Sequence, residues 1–125
     1  MSKKILIVED EKILRDMYTQ KFSRSGFKVI EAEGAKDGLE LAKKEKPDLI
    51  LLDILLPSEN GVSFLEKLRK TPEISKIEVI AFSNYDDPRT RKEVKELGIK
   101  RYLIKTDYTP REIVEKIREF LNEKS

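Results

Sequence analysis

Short apolar runs and amphipathic stretches alternate five times along this chain, and that alternation restricts its fold more than any other feature. The runs are Ile5-Leu6-Ile7-Val8, Lys28-Val29-Ile30, Leu49-Ile50-Leu51-Leu52, Val79-Ile80-Ala81-Phe82 and Tyr102-Leu103-Ile104. Runs this short read as strands, and their continuous apolar character predicts burial on both faces, as in a parallel sheet. The stretches between them have helical spacing. Residues 11–24 set Ile13, Leu14, Met17 and Tyr18 on one side and stop before Gly26. Residues 35–45 bring Ala35, Leu39 and Ala42 together, and Asn60-Gly61 precedes a helix carrying Phe64, Leu65 and Leu68. Asp87-Pro88 supplies a cap and a first-turn proline for a helix that Gly98 closes. Pro110 opens a last helix with Ile113, Val114, Ile117, Phe120 and Leu121 on one face. The helix after Pro88 has only Val94 and Leu97 as strongly apolar residues, so it should be lightly packed and is a candidate moving part. Five such units in 125 residues predict one α/β domain: an open, doubly wound sheet with helices on both faces.

Composition removes most chemistries. Cysteine and histidine are absent, which excludes disulfides, Cys/His zinc sites, Cys–His nucleophiles and Ser-His-Asp triads. The 26 basic and 24 acidic residues nearly cancel, so no strong field toward nucleic acid or membranes is expected. Met1-Ser2-Lys3-Lys4 leads into only four apolar residues, too few for a signal peptide. The longest apolar stretch, Leu49 to Leu56, is interrupted by Asp53 and falls far short of the roughly 20 residues of a membrane helix. A soluble, cytoplasmic protein is expected. Its chemistry is left to carboxylates, lysine, hydroxyls and backbone groups, with or without a hard, oxygen-liking cation.

Open α/β sheets bind ligands beyond the carboxyl ends of their strands, beside the point where strand order reverses. The residues just past each strand are therefore informative: Glu9, Asp10 and Glu11 after the first, Asp53 after the third, Ser83 after the fourth, Lys105 after the fifth. Singly, most of these have plain explanations. Acidic residues after a strand commonly cap the next helix, and a serine there commonly makes a turn. Lys105 is one of 18 lysines, and Tyr102 is an ordinary strand residue. Asp53 differs, because it sits inside eight otherwise apolar positions where an ionised carboxylate is costly unless paired or metal-bound. Together the residues converge on one chemistry. Crowded carboxylates repel, and magnesium resolves this by binding one or two of them while keeping waters and recruiting phosphate oxygens. One carboxylate can then attack phosphorus to give an aspartyl phosphate, with the lysine offsetting charge and the hydroxyl donating a hydrogen bond. Phosphoryl transfer asks for little more than such positioning.

Read in order, Ile7-Val8-Glu9-Asp10-Glu11, Leu51-Leu52-Asp53-Ile54-Leu55-Leu56-Pro57, Asn60-Gly61, Phe82-Ser83-Asn84 and Tyr102-Leu103-Ile104-Lys105 resemble a response-regulator receiver domain of two-component signalling. The resemblance runs over essentially the full length, so a single receiver domain over residues 1–125 with no effector domain is expected. It implies a flavodoxin-like receiver fold: a five-stranded parallel sheet in order 2-1-3-4-5 with five helices. It implies that Asp53 is the phosphoacceptor, that Glu9 and Asp10 form the acidic pair, and that Glu9, Asp10 and Asp53 hold magnesium, with Asp10 favoured over Glu9 as a direct ligand. The Leu55 backbone carbonyl would be a further ligand. Ser83 and Tyr102 occupy the switch positions and Lys105 that of the phosphate-contacting lysine. The implied partners are a histidine kinase or histidine phosphotransfer protein as donor. A downstream protein target or a homodimer would use the face made by the fourth helix, fifth strand and fifth helix. The implied role is that of a phosphoacceptor switch and not a turnover enzyme.

Three positions depart from the usual pattern: Thr106 stands where proline is common, Asn84 where a small residue is usual, and Ser83 where threonine is commoner. Three rivals are open to the same residues. Aspartate-nucleophile hydrolases of the haloacid-dehalogenase kind carry a carboxylate two positions after the nucleophile, and here that residue is Leu55. A flavodoxin-like FMN carrier needs a first loop that holds phosphate by backbone N–H groups, and Glu9-Asp10-Glu11 would repel it. A docking module that works without phosphorylation is the third, and Asn84 and Thr106 leave room for it.

Overall fold

Each apolar run forms a strand in the computed structural model, which describes residues 3–56 and 59–123. The strands are β1 (Lys4–Val8), β2 (Lys28–Ala32), β3 (Leu49–Leu52), β4 (Glu78–Ser83) and β5 (Tyr102–Ile104). Between and after them run α1 (Lys12–Arg24), α2 (Ala35–Glu45), α3 (Gly61–Arg69), α4 (Pro88–Glu96) and α5 (Pro110–Glu123). All strands pair in parallel, in the order β2-β1-β3-β4-β5. The order reverses beside β1 and β3, so the loops leaving these two strands diverge and open a crevice between them. Pro57, part of the motif after β3, lies outside the described residues.

The two-residue period of the strands divides the core. Leu6, Val8, Ile50, Leu52, Val79 and Ala81 face α2, α3 and α4, whereas Ile5, Ile7, Leu49, Leu51, Ile80 and Phe82 face α1 and α5. Burial on both faces holds for β1, β3 and β4, as their apolar runs predict. It fails for β2 and β5, which are the edge strands and are only half-buried. β2 also continues two residues past its apolar run, because Glu31 keeps its backbone register opposite Ile7 while its carboxylate lies 3.8 Å from Arg15 Nε. In α1 three residues of the expected stripe face the core, Tyr18 buried beside Phe22 and Leu14 and Met17 packed against them, whereas Ile13 is 85% exposed.

Local chemistry fixes the helix ends. Asn60 Oδ1 accepts from Ser63 N at 2.9 Å and Asp87 Oδ2 from Thr90 N at 3.0 Å, each a side-chain cap that satisfies an otherwise orphan donor. Gly98, at φ +89°, takes the left-handed turn that ends α4. α4 is lightly packed, with Thr90 and Val94 as its buried residues. Its carboxyl end is tied down by Arg69, whose Nε donates to Leu97 O at 2.8 Å while Nη1 donates to Ser75 O and Ile77 O. Two single 3-10 turns, Pro72–Ile74 and Lys105–Asp107, have no periodic signal in the sequence. Among the described residues no helix is long and apolar enough to cross a membrane.

Gly61 is the glycine on which the site geometry depends most. A Cβ there would lie 2.8 Å from Ile54 Cα and 3.0 Å from Asp53 O, while its N–H donates to Ile54 O at 2.7 Å. Both close neighbours are backbone and cannot rotate away. Gly61→Ala is expected to destabilise the fold by about 2 kcal/mol through forced backbone movement, read as a lower urea midpoint. An unchanged midpoint would show that the loop after β3 yields freely.

Candidate functional site

Parallel pairing delivers the strand ends to one edge. Val8 is in register with Leu52, so Glu9 and Asp53 emerge from adjacent strands, with Asp53 N donating to Val8 O and Glu9 N to Ala32 O at 3.0 Å. The carboxylates of Glu9, Asp10 and Asp53 each offer an oxygen within 4.8 Å of the others. Glu9 is 3% and Asp53 8% exposed, whereas Asp10 faces solvent. Glu11 occupies the first cap position of α1 but its side chain accepts no capping bond. Helix capping therefore does not account for this acidic run. Instead Glu9 Oε2 accepts from Glu11 N at 3.0 Å, which folds the loop around the buried glutamate.

Lys105 closes the cluster from the far side. Its Nζ donates to Asp53 Oδ2 at 3.0 Å and to Glu9 Oε1, bridging two carboxylates that arrive from different strands. The other Asp53 oxygen, Oδ1, accepts from Leu55 N at 3.2 Å. Burial raises the Glu9 pKa above its ordinary 4.5, and the hydrogen bond from Lys105 only partly opposes this. For Lys105 burial acts to lower the pKa, but the bond to Glu9 and the charge of Asp53 outweigh it, so the ammonium is held more firmly than usual.

The hydroxyl positions lie beside these charges. Ser83 is buried at the end of β4, and its Oγ accepts from Tyr85 N at 3.1 Å. The Tyr102 hydroxyl donates to Tyr85 O, and Arg91 lies over the Tyr102 ring at 4.6 Å. Burial pushes the Tyr102 pKa up to about 12, so the phenol stays a donor at neutral pH. Asn84 is exposed, and its Oδ1 accepts from Thr106 N at 3.0 Å. Among the described residues there is no cis peptide, and the Lys105–Thr106 bond is trans.

One contributor is not evident from the sequence. Arg15 is buried on α1, and its Nη1 donates to the carbonyl oxygens of Glu9 at 2.8 Å and Asp10 at 3.4 Å. It holds the acidic loop by its backbone and places a second cation behind the cluster. Its only signal is an arginine between the apolar positions Leu14 and Tyr18, four residues after Glu11. Two cations against three carboxylates leave an excess negative charge on hard oxygens, a donor set that suits a small divalent cation and not a soft metal.

Comparison with known proteins points the same way. The profile of the family described as response regulator receiver domain matches residues 5–118. The alkaline phosphatase synthesis transcriptional regulatory protein PhoP of Bacillus subtilis is 32% identical over 97% of this chain, which spans about half (49%) of that protein's length. Protein PilH of Pseudomonas aeruginosa is 36% identical over 82% of this chain and 84% of its own. Among solved structures, a CheY-like response regulator receiver domain protein from Methanospirillum hungatei superposes with a TM-score of 0.88. It is 32% identical, with 98% of this chain and 96% of that one covered.

The lysine bridge carries a stability consequence with a defined sign. Because Glu9 has a raised pKa, the native chain binds a proton that the unfolded chain has released, so stability falls as pH rises from 4.5 through the raised value. Lys105→Ala leaves two largely buried carboxylates unpaired and should cost about 3 kcal/mol at pH 7. Urea unfolding is expected to show the gap to wild type narrowing toward pH 4.5, as Glu9 takes up its proton, and narrowing again when magnesium is added at pH 7. A gap independent of both would show that Lys105 does not neutralise this cluster.

Proposed function

The chain belongs to the response regulator receiver domain family, and on that premise we propose that Asp53 is its phosphoacceptor in a two-component phosphorelay. The observation that carries the reading is the Lys105 ammonium lying on Asp53 Oδ2 within the cluster of Glu9, Asp10 and Asp53. An Asp53 carboxylate oxygen attacks the phosphorus of a partner's phosphohistidine; the O–P bond forms as the P–N bond breaks, and the imidazole leaves with the bonding pair. This chain has no histidine, so the donor is a histidine kinase or a histidine phosphotransfer protein. Lys105 shifts from the carboxylate to a phosphoryl oxygen, and the buried Ser83 hydroxyl turns to donate to another. Asp10, Asp53 and the Leu55 carbonyl would hold magnesium, with Glu9 beside them, and the ion would offset charge on the carboxylates and the phosphoryl group. Arg15 keeps the Glu9–Asp10 backbone in place throughout.

The response travels through one residue. Ser83 Oγ and the Tyr102 hydroxyl both bond the backbone of Tyr85, the first its N–H and the second its carbonyl. When Ser83 turns toward the phosphoryl group it releases Tyr85 N, the loop after β4 moves, and Tyr102 loses its partner and swings inward. The face of α4, β5 and α5 is thereby reshaped. Between α4 and β5 lies an open groove of about 830 Å³, floored by Val94, Ile99 and Tyr102 and rimmed by Arg91, Lys92 and Lys95. That face serves a downstream protein target or a second copy of the chain.

The reading is tested with a small acyl-phosphate donor and magnesium, because the pocket itself supplies the transition-state stabilisation. Mass spectrometry should find one phosphoryl group, sensitive to hydroxylamine and absent from Asp53→Asn; label surviving in that variant overturns the assignment. The receiver resemblance puts control of the product's lifetime on the side chains two positions after the acceptor and two after the switch hydroxyl, Leu55 and Tyr85, which are 55% and 38% exposed. Leu55 offers water no hydrogen bond, and we infer that the bulk of Tyr85 excludes water from the aspartyl phosphate and makes it long-lived. The double variant Leu55→Asn with Tyr85→Ser should lose phosphate about tenfold faster once donor is removed, water then being held in line. Equal or slower decay would show that access past these residues does not set the lifetime.

A further inference from the structure

The pairing of β4 with β5 ends at Ser83 and Ile104, and the functional residues Ser83 and Lys105 lie where the two backbones part. Lys105 begins the single 3-10 turn Lys105–Asp107, whose closing bond, Tyr108 N to Lys105 O, is 3.3 Å long. One such turn is weak support on its own. Among the described residues, one hydrogen bond joins the backbone of this turn to another element: Thr106 N to Asn84 Oδ1 at 3.0 Å. The lysine stem is flexible over four carbons, so its reach to both Glu9 and Asp53 depends on where its backbone is held.

We propose that Asn84 is a positioning residue for Lys105. Its carboxamide is a strut between the loop after β4 and the turn after β5. The strut sets the Lys105 Cα so that Nζ spans Glu9 Oε1 and Asp53 Oδ2. It requires an acceptor on a short side chain at position 84 and an N–H at position 106, which threonine supplies and proline lacks. Two of the positions at which this chain departs from the usual receiver pattern are therefore the two ends of one hydrogen bond. Asn84 is exposed and makes no hydrogen bond to the carboxylates, so it acts through the lysine and not on the reacting atoms.

The inference rests on Asp53 being the phosphoacceptor, and the test separates the two. Phosphorylation by a small acyl-phosphate donor with magnesium is measured in four forms of the chain: unmodified, Asn84→Ala, Lys105→Ala and the double variant. Asn84→Ala should slow the reaction about tenfold, as expected when a charge is displaced by a fraction of an ångström. In the Lys105→Ala background the same change should have no effect, because the group it positions is gone. Amide exchange at Thr106 should speed up in Asn84→Ala, while the magnesium-induced shifts at residues 9–11 and 53–55 persist at the same concentrations. An unchanged rate in Asn84→Ala, or the same slowing in both backgrounds, overturns the strut. Failure of the unmodified chain to be phosphorylated on Asp53 overturns the parent reading instead.

Discussion

Charge repulsion at the carboxyl edge of the sheet is the constraint around which this molecule is arranged. Carboxylate charges within 4.8 Å of one another repel by at least about 3.5 kcal/mol per pair at an effective dielectric of 20, and a parallel sheet in this order brings three of them together. The chain answers with two cations of different kinds. Lys105 enters from β5 and touches the carboxylates themselves, while Arg15 enters from α1 and grips the carbonyls behind them. A compact point charge that can be drawn onto an incoming phosphoryl group suits the first position; a rigid fork that stays in place suits the second. The residual negative charge is the feature on which the proposed magnesium site rests.

The sequence is most transparent where a residue contradicts its surroundings. Asp53 stands out because an apolar run has no other reason to hold a carboxylate, and Asn60 and Asp87 announce helix starts by their capping chemistry. The central strands are legible because both faces are buried. The edges are not: β2 carries Glu31 without ending, since an edge strand can keep its register while its side chain reaches out to Arg15. Ile13 illustrates the opposite failure, an apolar residue whose helical phase places it in solvent. Arg15 is hidden inside a stripe of apolar residues. The bond between Asn84 and Thr106 has no signal at all, because it joins side chain to backbone across 22 positions and two irregular loops. Periodicity reports on faces, and such a bond belongs to none.

The connections around Tyr85 show how little material separates the site from the surface. Ser83 is almost wholly buried and Tyr102 is half-buried, yet one peptide unit's length of backbone bonds both. No chain of packed side chains is needed to relay a change between them. The loop has few buried apolar contacts, which is the usual condition for a segment with low local stability.

The anchoring of α4 has a mechanical corollary. Its carboxyl end is pinned by the Arg69 guanidinium, which grips the carbonyls of Leu97, Ser75 and Ile77, while its amino end continues directly from the loop that carries Tyr85. A rod of nine residues, about 13 Å long, fastened at one end and cushioned by Thr90 and Val94, pivots more readily than it slides. In the switch proposed above, displacement would then be greatest beside the acid pocket and vanish near Gly98, so the groove between α4 and β5 would open as a wedge and a partner seated in it would sense an angle.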